Sequence, residues 1–394
     1  MKESIIQNDY EPLRQVRKSL KVRWYRSPIE NSTLKELCLR SNLKGFTQAL
    51  SHIGLFIITG TLTSLCFIWE EWVWFCLTLW LHGTIGVFFA SATHELGHGT
   101  VFKTQKLNSF FLKLMGILVW WNYHAYSMSH TFHHRYTMHP IGDREAPPLR
   151  KYLNPLVLIE LFTFNFRGFF MAIYNTFLTA FGRFNENPLE LDHAKGSTQW
   201  NKATSEVYPE KYHNTVVWAR IVIGFHSLLL LVSIMFQLWW LSIVITGFAF
   251  VGQWLVFFIS MPQHAGLPNN IQDFRINTRS IRLNPIFEFL MWHQNWHIEH
   301  HMYAGVPCYN LKKLNKIISE DIPEPRGLIS AWVEMHTIWK KQQEDKEYNY
   351  YISLPSTANA AITSKNPLSE VRQENDNELV YSIGALAPEE DARI

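Results

Sequence analysis

The chain has 394 residues, 47% hydrophobic and 18% charged, and its formal net charge of +3 is too small to point to nucleic acid. Its four scattered cysteines, Cys38, Cys66, Cys76 and Cys308, argue against a disulfide framework and a cysteine-based zinc site. Mean hydropathy is −0.08, ordinary for a soluble protein, but the average hides apolar residues gathered into blocks and charges gathered between them and at both ends.

Residues 1–45 are polar, carry ten Lys/Arg against five Asp/Glu, and hold no apolar stretch of the kind a cleavable signal needs. They are expected to form a basic cytosolic arm. Apolar blocks follow at 46–69 and 72–92, with only Glu70 and Glu71 between them. Each is long enough to cross a hydrocarbon core, which takes about 20 helical residues, so the pair reads as a helical hairpin. The block at 108–122 is too short to span and reads as a re-entrant or interfacial helix. The block at 155–181 contains Asn165, Arg167 and Asn175 and reads as a surface-lying helix. A second hairpin is expected from 216–236 and 239–260, with Trp239 and Trp240 at its turn. From 352 the chain is rich in Ser, Asn, Ala, Pro and acids without apolar periodicity, so 352–394 is expected to be a disordered tail.

The expected fold is all-α and integral to the membrane: four transmembrane helices in two hairpins, with a helical cap. The short hairpin turns carry no Lys or Arg, whereas the arm and the stretches around the histidine clusters are rich in them. The positive-inside rule therefore places both termini and the cap on the cytosolic side.

Three histidine clusters mark the cap: His94-Glu95-Leu96-Gly97-His98, His130-Thr131-Phe132-His133-His134 and His297-Ile298-Glu299-His300-His301. Residues three and four apart share a helix face, so the histidines within each cluster can converge. Neutral imidazole suits iron, zinc, copper and nickel. Eight imidazoles exceed the four ligands of one tetrahedral zinc, so two metals are the economical reading. The first cluster also fits the zinc-protease pattern His-Glu-x-x-His, but a protease would leave the other six histidines unexplained.

The order HxxxH, HxxHH, HxxHH, interleaved with two hairpins, resembles the membrane fatty-acid-desaturase superfamily over roughly residues 46–320. The run from His297 through Met302-Tyr303-Ala304-Gly305-Val306-Pro307 is similar to the third box of a large, mostly microbial branch. The resemblance implies a catalytic domain over 46–351 and a non-haem di-iron centre that uses O2 as co-substrate. It makes the eight box histidines iron ligands and adds His264, in Met261-Pro262-Gln263-His264, as a ninth. It further implies a lipid or acyl substrate and, with no fused haem domain visible, a separate electron donor of cytochrome b5 or ferredoxin type. The membrane would be the endoplasmic reticulum in a eukaryote and the inner membrane in a bacterium. A hydroxylase, epoxidase or acetylenase fits the same boxes. A non-enzymatic membrane metal-handling protein fits less well, because transporters place such ligands within spans.

Carboxylates often orient metal-bound imidazoles through the second ring nitrogen. Glu95, Glu299, Asp143 and Glu145 are candidates for that role, lying in or just after the boxes. His293 is a further supporting candidate: on a helix continued through His301 it would share an arc with His297, His300 and His301. His124 and His139 flank the second box, and His52, His82 and His226 lie inside apolar blocks, where a helix neighbour or water is the expected partner.

Overall fold

The computed structural model describes residues 13–139, 142–146, 155–183, 198–345 and 348–363. They fold into helices with a single two-stranded parallel pairing, β1 (Ile281–Arg282) against β2 (Arg326–Gly327). In chain order the helices that frame the site are α1 (Leu13–Ser19), α2 (Asn31–Leu37), α3 (Asn42–Ile68), α4 (Trp72–Gly86), α5 (Phe89–Gly97), α6 (Gln105–Leu118) and α7 (Tyr123–Tyr136). After them come α8 (Pro155–Phe162), α9 (Phe166–Ala180), α10 (Thr198–Val207) and α11 (Pro209–Met235).

Among the described residues, three helices are long and apolar enough to cross a membrane: α3, the bent α4–α5 rod Trp72–Gly97, and α11. Their burial is inverted relative to a soluble protein. Ile58, Leu62, Leu77, Leu81, Leu228 and Leu231 are exposed, while His52, Thr59, Thr63, His82, Thr215 and His226 are buried. An apolar exterior around hydrogen-bonded polar groups is what a bilayer imposes. Both hairpin tips turn alike. Glu70 and Gln237 adopt φ 58°, and the next amides close the helices through Glu71 N–H to Cys66 O and Leu238 N–H to Ser233 O. Exposed Trp69, Trp72, Trp74 and Trp239 crowd that end, as interfacial aromatics do.

The fourth apolar block is not one helix over 239–260. It is two short apolar pieces, α12 (Trp240–Phe250) and α13 (Trp254–Gln263), parted at Val251–Gln253. Within α12 the helix widens to a π turn over Ile243–Gly247 and tightens over Phe248–Phe250. The break is held by partners remote in sequence. Gly252 sits at φ +63°, Val251 pairs antiparallel with Phe164, and Asn165 N–H donates to Phe250 O at 2.8 Å. Gly83 of α4 lies against the break, where a Cβ would collide with the Val251 backbone. Those partners explain the second difference. Block 155–181 is two helices, α8 and α9, whose joint Thr163–Asn165 supplies the hydrogen bonds the break needs. The buried histidines of the spans close the remaining gaps: His82 Nε2 meets Val244 O at 3.0 Å, and His226 Nε2 meets Ile117 O at 2.9 Å. His52 Nε2 meets Ile85 O at 3.0 Å.

The cap completes the chain with α14 (Phe274–Asn277), α15 (Pro285–Leu290), α16 (His297–Met302), α17 (Leu311–Ile318) and α18 (Leu328–Glu344). Residue 45 is no boundary in the packing. Leu13, Val16 and Leu20 of the arm share a core with Met128, Phe132 and Tyr136 on the back of α7. Trp24 stacks on Phe274 with centroids 4.1 Å apart. The tail expectation is corrected over 352–363. Asn359 N–H donates to Asp321 Oδ1 at 2.8 Å and Ile362 N–H to Asp273 Oδ2 at 3.2 Å, so this stretch is fastened to the cap by its backbone. The rest of the expected tail, 364–394, lies outside the described residues.

Candidate metal centre

The second box rides on α7, started by Asn122, whose Oδ1 accepts from Ala125 N–H at 3.2 Å. Met128, Phe132 and Tyr136, four residues apart, bury one face of α7. His130 and His134, also four apart, therefore project from another face. The third box rides on the short helix α16, where Ser280 Oγ accepts from Ile298 N–H at 3.1 Å. The first box lies on the last turn of the second span, with His98 capping α5.

The structure brings all nine histidines together, in two groups. His94, His98, His130, His134 and His300 form one; His133, His264, His297 and His301 form the other; within each, the donor atoms lie within 4.8 Å of one another. The second and third boxes are thus shared between the groups, while the first serves the five-histidine group alone. In each HxxHH run the i, i+4 pair serves one group, and the remaining histidine, rotated about 100° around the helix, serves the other. So α7 gives two ligands to the five-histidine group and one to the four-histidine group, and α16 does the reverse.

The ring nitrogens are sorted by their partners. His94 Nδ1 meets Glu95 Oε1 at 2.9 Å, His130 Nδ1 meets Glu145 Oε1 at 3.0 Å and His133 Nδ1 meets Asp143 Oδ2 at 2.9 Å. His264 Nδ1 meets Asn277 O at 3.1 Å. Each acceptor fixes the proton on Nδ1 and leaves the Nε2 lone pair facing inward. There, His98 and His130 Nε2 stand 3.1 Å apart, His134 and His130 2.9 Å, and His264 and His297 2.9 Å. At these separations a pair is held together either by an N–H···N hydrogen bond or by a cation that both lone pairs share. Two nitrogens each ~2.1 Å from one ion and near right angles to each other would stand ~3.0 Å apart. The donor set therefore fits two metal ions. Burial first, then the neighbouring rings, push His134, His297, His300 and His301 well below the ordinary histidine range, and the same causes bring His264 down to about 3. Neutral imidazole is the form that binds metal.

Of the carboxylates singled out in the sequence, Glu95, Asp143 and Glu145 touch histidines of the two groups, and Glu95 Oε1 also lies 3.7 Å from His300 Nδ1. Glu299 points elsewhere. It accepts from Ser280 Oγ and Asn315 Nδ2, both at 2.5 Å, tying α16 to α17, and burial pushes its carboxyl up. His293 belongs to neither group. The helix does not continue from it to His297; a turn intervenes, His293 sits at φ 59°, and its Nδ1 meets Glu288 Oε1 at 3.2 Å. His139 Nδ1 accepts from Gly142 N–H at 3.0 Å, shaping the loop that carries Asp143, while the His124 ring lies 4.1 Å from the Tyr123 ring at a tilt of 36°. Sequence reasoning missed Tyr126, whose hydroxyl lies 3.1 Å from His130 Nδ1; its position four residues before His130 on α7 is a legible signal. It also missed Asn277, which acts through a backbone carbonyl and leaves no side-chain signal.

A family model described as fatty acid desaturase matches residues 70–332, more than half of the chain and inclusive of all nine histidines. A relative, the dihydrorhizobitoxine desaturase of Bradyrhizobium elkanii, is 25% identical over 296 residues, 70% of this chain and 75% of its own length.

Proposed function

Because the chain belongs to the fatty acid desaturase family, we propose that its nine imidazoles hold two iron ions and that it desaturates a lipid or acyl chain with O2. The observation that carries this reading is the pair of inward-facing nitrogen clusters, anchored from behind by Glu95, Glu145, Asp143 and the Asn277 carbonyl. When bound, two irons supply the oxidant for an unactivated C–H bond: the substrate loses two hydrogens, and these, two external electrons and two protons reduce O2 to two waters. The chain's own part is to hold each Nε2 in place, to keep Nδ1 protons on the rings and donated to the carboxylates and the Asn277 carbonyl, and to exclude water with a buried, apolar surround. The electrons come from a separate cytochrome b5 or ferredoxin type donor.

The family and the apolar helices make this a membrane protein; the four-pass topology is part of the proposal, with α12 and α13 together making the fourth crossing. Broken helices are tolerated at depth where protein covers the backbone, as α4, α8 and α9 do here. Both termini and the metal centre face the cytosol. Impermeant thiol reagents should reach cysteines placed at 70 and 237 from outside; labelling only from the cytosolic side would reverse the orientation.

Products distinguish the chemistries. Lipid and small-molecule profiles of a host with and without the chain should show a species lighter by two hydrogens. A species heavier by one oxygen would make it a hydroxylase or epoxidase, and a triple bond in place of a double bond an acetylenase. The relative is named for dihydrorhizobitoxine rather than for a fatty acid, which supports a second reading: a small molecule outside the lipids as substrate. Oxygen consumption that depends on iron separates all of these from a metal-handling protein.

A further inference from the structure

The two metal groups are not supported alike. The five-histidine group takes four of its five histidines from α5 with its C-cap and from α7, helices of 9 and 14 residues packed into the main cores, and only His300 from α16. The four-histidine group depends on α14, a single turn of 4 residues. Within that turn, Asn277 O meets His264 Nδ1 at 3.1 Å, and the Phe274 ring lies 5.3 Å from the His301 ring. One turn of helix does not hold itself, since nucleation fixes several residues for very few hydrogen bonds. One of its own side chains must fasten it to the rest of the fold.

That fixture is Arg275, whose side chain is fully buried. Its guanidinium donates to Asp273 through Nε and Nη2, at 2.9 and 2.7 Å, and to Asp321 Oδ1 through Nη1 at 3.0 Å. It lies 3.7 Å from the centre of the Tyr25 ring. Its Nη donors also reach three backbone carbonyls: Asp321 O at 3.2 Å, Asn359 O at 3.1 Å and Ala360 O at 3.2 Å. The same acids hold the far segment in return, through Asn359 N–H on Asp321 and Ile362 N–H on Asp273. A residue of the arm and a strap near the other end of the chain therefore meet on one guanidinium, one residue from Phe274 and two from Asn277.

We propose that Arg275 is a positioning residue for the four-histidine group alone, and that the strap through Asn359 and Ala360 is the other half of that device. The strap holds Arg275, Arg275 holds the turn, and the turn aims His264 and seats His301. The planar fork of Arg is what lets one side chain serve two carboxylates and three carbonyls; a Lys ammonium in its place keeps the charge but not the fork. The inference rests on the reading that the two groups each hold an ion.

The test is iron release from the full-length chain in detergent, loaded anaerobically with Fe(II) and challenged with a chelator. The wild type should release two ions per chain, and His130→Ala and His297→Ala should each leave one group loaded. Arg275→Ala in the His130→Ala background should release the remaining ion roughly tenfold faster, the scale of losing a residue behind a ligand. In the His297→Ala background it should change nothing, which also shows that the variant is folded. Arg275→Lys should fall between, and a chain ending at Tyr351 should behave like Arg275→Ala, whereas one ending at Thr363 should behave like the wild type. Faster release in both backgrounds, or in neither, overturns the proposal. A wild type that binds fewer than two ions overturns the two-ion reading instead, and the inference with it.

Discussion

His134 and His301 lie with their ring centroids 4.6 Å apart and their planes 29° apart, although they serve different metal groups. They form the seam of the centre, one from α7 and one from α16. The two groups are therefore neighbours.

His297→Gln and His293→Gln should separate a ligand from a supporting residue. His297 Nε2 stands 2.9 Å from His264 Nε2, whereas His293 meets Glu288 outside both groups. The first variant should lose iron and nearly all turnover; the second should keep most of its iron and lose part of the rate. Equal iron loss, read by elemental analysis, would make His293 a ligand.

Glu145→Ala should weaken iron binding about 10- to 100-fold, because it removes the carboxylate that His130 Nδ1 meets and leaves it the neutral Tyr126 hydroxyl. Glu299→Gln should leave iron affinity unchanged and lower thermal stability by roughly 1–3 kcal/mol, because Glu299 serves Ser280 and Asn315 instead. Iron titration of both variants checks the contrast.

Much of that contrast was available from spacing. The i, i+4 relations that gather the histidines are readable from the boxes, and Asp143 and Glu145 follow the second box closely. Glu299 is the instructive miss. It stands two residues after His297, and two residues rotate a helix by about 200°, so it faces away from the group that His297 joins. The break at Gly252 could not be read locally. A single glycine in an apolar run is tolerated in a helix, and what opens this one is Thr163–Asn165, far away in sequence. The strap over 352–363 escaped for a related reason: its low apolar content predicts disorder, but it is fastened through backbone groups that composition does not describe.

Gly83→Ala should destabilise the protein by roughly 1–3 kcal/mol, since the added methyl meets the Val251 backbone, which cannot swing away as a side chain can. Gly54→Ala in the neighbouring span meets nothing within 4 Å and should be neutral or slightly stabilising. Thermal midpoints in one detergent compare the two. Equal midpoints would show that the break does not need the close approach of α4.

Acid should weaken the α15–α17 joint in a defined window. Burial alone would raise the Glu288 carboxyl, but hydrogen bonds from His293, Trp296 and Lys312 outweigh it and lower it from 4.5 to about 2. A depressed carboxyl stabilises the fold fully above its unfolded value of 4.5, and the contribution fades as pH falls from there toward 2. Glu288→Gln should therefore cost stability near neutral pH, and the cost should shrink below about pH 4. A cost independent of pH in thermal melts would contradict this.

The central claim is that nine histidines hold two irons. Elemental analysis of the purified, active chain tests it most directly. The account predicts two irons per chain, with turnover lost on chelation and restored by Fe(II) alone. One zinc per chain, with activity indifferent to iron, would contradict it.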